Sequence, residues 1–177
     1  MVEDESGEIT MNMSFWIILF LIIFMLHNLE EIMTVEKWLQ DTFPRVHQRI
    51  PAMIQKELTK KQMTTRQFAV VVFILSIFGS CLLVIGEWTQ KNYFFLGIAL
   101  FFAINIVSHR LQSLFLRSYT PGVITSIFLI IPYYSMFFYE MYQHEVFSAT
   151  SIVGIIMVII FLLLAFILSH KLSEKWR

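Results

Sequence analysis

The chain has 177 residues, is 57% hydrophobic and carries only 15% charged residues, which excludes an ordinary soluble domain of this size. Its formal net charge is zero, but the charges are segregated, with basic residues gathered beside apolar runs. Membrane topology accounts for that placement, and nothing in it calls for nucleic-acid binding. The single Cys81 sits in an apolar run, reads as a small packing residue and can form no disulfide within the chain.

Residues 1–13 form an acidic tail (Glu3, Asp4, Glu5, Glu8) expected to fray in water. That acidic flank is the wrong sign for a signal peptide, so the apolar run after it is expected to be retained as a transmembrane helix over about residues 14–32, with Trp16 as an interfacial anchor. Residues 33–66 carry seven Lys or Arg, with Trp38, Leu39, Phe43, Val46 and Ile50 at roughly helical spacing and Pro44 and Pro51 dividing the pattern. This reads as a basic amphipathic segment lying in the headgroup layer. Further spans are expected at about 67–87, with Gly79 and Ser80 as small packing residues, and at 93–116. The last two are expected at 121–139, with Pro121 in the first turn and Pro132 as a kink, and at 149–169, followed by a basic tail at 171–177. The fold class is all-α: a single bundle of five transmembrane helices over residues 14–170. Successive connections and the tail hold seven, one, two, no and three Lys or Arg, which puts the amino terminus outside and the carboxyl terminus inside. The expected location is a cell membrane, crossed several times.

The organising stretch is Leu26-His27-Asn28-Leu29-Glu30-Glu31-Ile32, which closes a run with no polar residue from Phe15 to Leu26. Ionisable groups in such a place are costly and face a cavity, a partner or a substrate path rather than lipid. His27, Glu30, Glu31 and Thr34 share one helical face. At ~1.5 Å per residue His27 lies roughly 20 Å from the outer side of a core ~30 Å thick. Asn105 and His109, four apart on the inward-running third span, reach a similar depth, as does Thr125 on the fourth. Polar groups from three helices are therefore expected in one layer of the inner half.

His27-Asn28-Leu29-Glu30-Glu31 fits the pattern HxxEE, Asn105 to His109 fits NxxxH, and Tyr119-Thr120-Pro121-Gly122-Val123-Ile124-Thr125 fits YxPGxxT. In that order, with five-span hydropathy, they make the chain similar to the HXXEE-domain family of integral membrane proteins over about residues 14–170. The resemblance implies a small bacterial inner-membrane protein, thought to be an enzyme. It brings no settled activity, substrate or cofactor.

The chemistry is read from residue types. His27 and Glu31 have the i, i+4 spacing that lets two side chains hold one metal ion, and His109 would make a two-histidine, one-carboxylate set that suits zinc with a position left for water. Glu30, or the second oxygen of Glu31, would then be the base. Two other readings stand beside it: metal-free acid–base work by the same His27, Glu30, Glu31 and His109, and a polar network that only locks the bundle. Asn105 orients His109, binds a substrate carbonyl or bonds between helices. Tyr119 and Thr125 are expected to position substrate, aided by the positive end of the fourth span. Pro121 and Gly122 read as structural, and Arg110 and Arg117 as interface anchors. His47, His144 and His170 are expected outside the site. The leading expectation is a hydrolase of a lipid or amphiphilic small molecule, with membrane lipids as partners. The alternatives are a proton-coupled transporter or carrier and a non-catalytic partner or assembly subunit.

Overall fold

The computed structural model describes residues 2–3, 9–10, 12–46, 64–143 and 149–176, with backbone only at residues 2–3, 9–10, 43, 46, 105, 108–110, 112, 115, 149 and 176. Among the described residues six helices follow in order: α1 Met13–Asp41, the one-turn α2 Phe43–Val46, α3 Thr65–Thr89, α4 Tyr93–Leu116, α5 Val123–Gln143 and α6 Ala149–Ser173. A short 3-10 turn, Glu174–Trp176, ends the described chain. In the tail expected to fray, Val2–Glu3 pairs antiparallel with Ile9–Thr10.

Local signals set the helix ends. Asn12 accepts the Phe15 N–H at 3.1 Å and caps α1. Thr64 and Gln67 form a reciprocal capping box at the start of α3. Gln67 also donates to the Ser173 carbonyl, tying that end of α3 to the end of α6. α3 and α4 end on left-handed residues, Gln90 at φ 54° and Arg117 at φ 48°.

α1, α3, α5 and α6 are each long and apolar enough to cross a membrane, and α4 opens with the apolar stretch Tyr93–Ile104. Large apolar side chains are left bare on the outer faces, among them Phe73, Val84, Phe128 and Met157. Such a surface is unfavourable in water and suits lipid.

α1 differs most from expectation. It runs nine residues past the expected Ile32, because no breaker intervenes before Pro44, and the Thr42 N–H closes it on the Trp38 carbonyl. Residues 33–41 are thus the last turns of α1 rather than part of a separate interfacial segment, and residues 47–63 of that segment lie outside the described residues. Trp16 is a second correction. It is 5% exposed and packs edge-on against Tyr133 and tilted against Phe137, as a core residue rather than an interfacial anchor. Its stripe continues along α1 through Phe20, Ile23, His27, Glu31 and Trp38, all buried at helical spacing.

Ahead of Pro132, α5 contains a π-helical stretch, Ser126–Ile130, in which the Ile131 N–H reaches the Ser126 carbonyl. The wide turn lies just ahead of the proline, which has no N–H to give. Tyr133 and Phe137 then stack at 5.6 Å and 8° within an aromatic core shared with Phe20, Phe95 and Phe102.

α4 and α6 approach closely at two glycines. A Cβ on Gly97 would fall 2.6 Å from Val158, and one on Gly154 would fall 2.6 Å from the Tyr93 ring. Gly79, expected to pack, instead faces open space with no atom within 4 Å. Gly97→Leu is therefore expected to lower the melting temperature of the detergent-solubilised protein by an overpacking penalty of about 1–3 kcal/mol. Gly79→Leu is expected to leave it unchanged, as read by thermal denaturation of both variants side by side.

Candidate functional site

The site forms where the middle of α1 meets the start of α5. Thr120, Pro121, Gly122 and Val123 make a type II turn: the Val123 N–H reaches the Thr120 carbonyl at 3.2 Å, and Gly122 takes φ 80°, ψ −2°. Pro121 therefore occupies the turn and α5 begins after it, not at Pro121 as expected from the sequence. Gly122 is the N-cap residue of α5 and has no side chain to satisfy the exposed N–H groups of the first turn.

Glu30 supplies the missing acceptor from α1. Its Oε2 accepts the Thr125 N–H at 2.7 Å and the Thr125 hydroxyl at 2.6 Å. Its Oε1 accepts the Ile124 N–H at 3.2 Å and the Tyr119 hydroxyl at 2.9 Å. A carboxylate at a helix N-terminus is also favoured by the helix dipole. The anion at this end of α5 thus comes from the chain itself. Tyr119 is held from its other side as well, because the Trp38 indole N–H donates to its carbonyl. Partial burial, reinforced by the Glu30 carboxylate, keeps the Tyr119 phenol above its ordinary pKa, so it stays a donor.

His27 is fully buried and Glu31 is 4% exposed. The His27 Nδ1 lies 2.8 Å from the Thr125 hydroxyl oxygen. A threonine hydroxyl has one proton, and the short bond to Glu30 claims it, so the oxygen accepts from Nδ1–H. A neutral imidazole then carries its lone pair on Nε2, which lies 3.5 Å from Glu31 Oε1. Gly122 walls the pair: a Cβ there would fall 2.6 Å from His27 Cε1 and 2.9 Å from Glu31 Cγ. On the α4 side, Phe102 meets the imidazole edge-on at 5.5 Å.

Of the residues singled out in the sequence, His27, Glu30, Glu31, Tyr119 and Thr125 come together. The side chains of Asn105 and His109 lie outside the described residues, so their place in the cluster is not assigned. In helical register, position 109 follows the buried Phe102 by seven residues and the buried Ile106 by three. Among the described residues, no group of three or more His, Cys, Asp or Glu gathers to hold a metal. Gly122 lets a neighbour approach closely, as its residue type suggests, but that the neighbours are His27 and Glu31 was not read from the sequence, nor were Phe102 against the imidazole and Trp38 behind Tyr119. The Pro-Gly pair carried the signal for the turn at Gly122, since a type II turn wants proline followed by glycine.

The family described as "Protein of unknown function with HXXEE motif" matches residues 18–138, a stretch that takes in both halves of this site. The chain belongs to the HXXEE family. The chain is also similar to "Uncharacterized protein YrkK" of Bacillus subtilis (strain 168), 28% identical over 156 residues that cover 82% of this chain and 90% of that one. No solved structure matches. The two glutamates of the HXXEE motif divide the labour here: Glu31 faces His27, while Glu30 turns to α5.

Each Glu30 oxygen receives two donors, so an amide in its place would set an NH2 group against two of them. Glu30→Gln is expected to lower stability by about 2–3 kcal/mol, the range for losing bonds to a charged acceptor. Glu31→Gln, which breaks none of these four bonds, is expected to shift the melting temperature much less in the same assay.

Proposed function

We propose that this HXXEE protein is a membrane hydrolase acting on a lipid or amphiphilic substrate, with a divalent cation seated between His27 and Glu31 at the cytoplasmic end of the bundle. The observation that carries the reading is the fixed imidazole. Metal-bound histidines usually donate their other ring N–H to a carboxylate, a carbonyl or water, which sets the tautomer and aims the lone pair. The chain from His27 Nδ1 through Thr125 to Glu30 has that form. The 3.5 Å between His27 Nε2 and Glu31 Oε1 is long for a hydrogen bond. It is near the separation of about 3.4 Å between two ligands of a tetrahedral zinc ion with bonds of ~2.1 Å.

In this reading His109 is the third donor, from the helix whose Phe102 already lies against the imidazole. The cation supplies Lewis acidity and a bound water that is readily deprotonated. The second oxygen of Glu31 would act as the general base toward the attacking water and pass the proton to the departing alcohol, so that one water would be added across the cleaved bond. Glu30, Tyr119 and Thr125 position His27. This moves Glu30 away from the base role that its sequence place suggests, and Tyr119 and Thr125 away from substrate contact. Asn105 is left as the polar contact for substrate. The inside-facing orientation rests on the distribution of Lys and Arg. A carrier fits less well, because alternating access wants a site near the midplane, and Thr125 lies about 3 Å along α5 from its first residue.

Elemental analysis of the purified protein is the test. Near-stoichiometric zinc, manganese or iron is expected, lost in His27→Ala and Glu31→Gln. In Thr125→Val a 10–100-fold weaker metal affinity is expected, the usual effect of removing such a supporting bond. A protein that takes up no metal on reconstitution overturns the reading.

A further inference from the structure

A groove of about 380 Å³ runs between α1, α3 and α4, with Leu162 of α6 in its lining, and shares Phe102 with the surroundings of His27. We infer that it holds one acyl chain of a membrane phospholipid, and that this lipid belongs to the substrate class of the His27–Glu31 site. Only the second half of this statement rests on the hydrolase reading.

The volume falls within the range of small-molecule sites, roughly 300–1,000 Å³. The walls are aliphatic and aromatic, with Phe24, Leu75, Leu83 and Phe101 among them. Three polar residues, Asn28, Ser76 and Ser80, reach the groove; Asn28 donates to the Phe24 carbonyl at 2.7 Å and Ser76 to the Val72 carbonyl at 2.8 Å, each within its own helix. Water needs two to four polar partners to settle in such a space, so it is a poor occupant. Leaving the space empty would forfeit the dispersion contacts that close-packed interiors make. Gly79 reports the same gap independently, since a Cβ built on it meets nothing within 4 Å.

The mouth identifies the occupant. Leu21, Met25 and Leu29 of α1 line the groove and are also 42%, 53% and 46% exposed on the outer face of the bundle. The groove therefore opens onto the surface that hydrocarbon bathes. Along α1 it extends from Phe20 to Ile32, about 18 Å at 1.5 Å per residue, close to the ~15 Å of one leaflet's hydrocarbon. Phe102 contributes to the groove wall and also touches His27, so an acyl chain lying here would pass beside the pair.

The experiment uses the full-length protein in nanodiscs of phosphatidylethanolamine and phosphatidylglycerol, doped with a phosphatidylethanolamine that carries a diazirine in its acyl chain. Crosslinks mapped by mass spectrometry are expected to concentrate on α3 around Leu75 to Leu83 and on α4 around Phe101. Gly79→Leu and Gly79→Trp fill the groove from a position with room for a side chain, and are expected to cut those crosslinks at least fivefold while the outer-face crosslinks at Phe73 and Met157 stay constant. His27→Ala is expected to keep the groove labelled, so a failure of the hydrolase reading leaves this result standing. Labelling spread evenly over the outer faces and indifferent to Gly79→Trp overturns the inference. So does a change in oligomeric state in Gly79→Trp, which would mark the groove as the seat of a second copy. If the groove is labelled and the wild type hydrolyses phospholipid, the substrate assignment requires Gly79→Trp to lose turnover together with labelling. Turnover retained without labelling would overturn that half alone.

Discussion

One carboxylate joins the halves of this molecule. Glu30 sits on α1 and closes the amino-terminal end of α5, a helix that begins 93 residues later and whose N-cap glycine cannot do this for itself. Unsatisfied N–H groups at a helix end are expensive away from water, and a carboxylate buried without donors is more so. Each resolves the other. Because Thr125 takes part through both its amide and its hydroxyl, the same contact fixes the proton on His27 Nδ1 and turns Nε2 toward Glu31.

The remaining features follow from that junction. Gly122 has to be glycine twice over: the turn needs a positive φ, and the space where a side chain would go is filled by His27 and Glu31. Tyr119 both donates to Glu30 and is braced by Trp38, which explains why α1 continues as far as it does. Two motifs far apart in the chain thus form one object: the acidic pair supplies the acceptor, and the Tyr-to-Thr segment supplies four donors to it. Membership of the HXXEE family rests on a match that includes both motifs.

Much of this was legible in the sequence, and the reasons for the rest are physical. Hydropathy located all five long helices, and α4 runs from Tyr93 to Leu116 as expected. The shared face of His27, Glu30 and Glu31 was visible from spacing alone. What spacing could not show was direction: Glu30 and Glu31 are neighbours, yet one turns to α5 and the other to His27. Trp16 looked like an interfacial anchor because tryptophan favours interfaces, but Tyr133 and Phe137 from α5 cover it, a contact across more than 100 residues. Gly79 looked like a packing residue because small residues usually bring helices together. Whether a glycine faces a neighbour or a gap depends on helix rotation, which composition does not record. The depth argument brought α1 and α5 to one level correctly but set Thr125 too deep in its helix, because residues 117–122 form a turn rather than helix.

The π-helical stretch in α5 has a consequence for how this helix is built. Upstream of it, Thr125 must address Glu30 and His27; downstream, Tyr133 and Phe137 must address the aromatic core. The stretch holds one residue more than a regular turn would, and each residue of an α-helix advances about 100° around the axis. α5 is thus two helical segments set out of phase with one another, each keyed to a different client. Trimming the bulge to a regular helix would leave one angular offset to serve both, so either the polar junction or the aromatic stack would be swung out of alignment while every side chain in it remained in place along the chain.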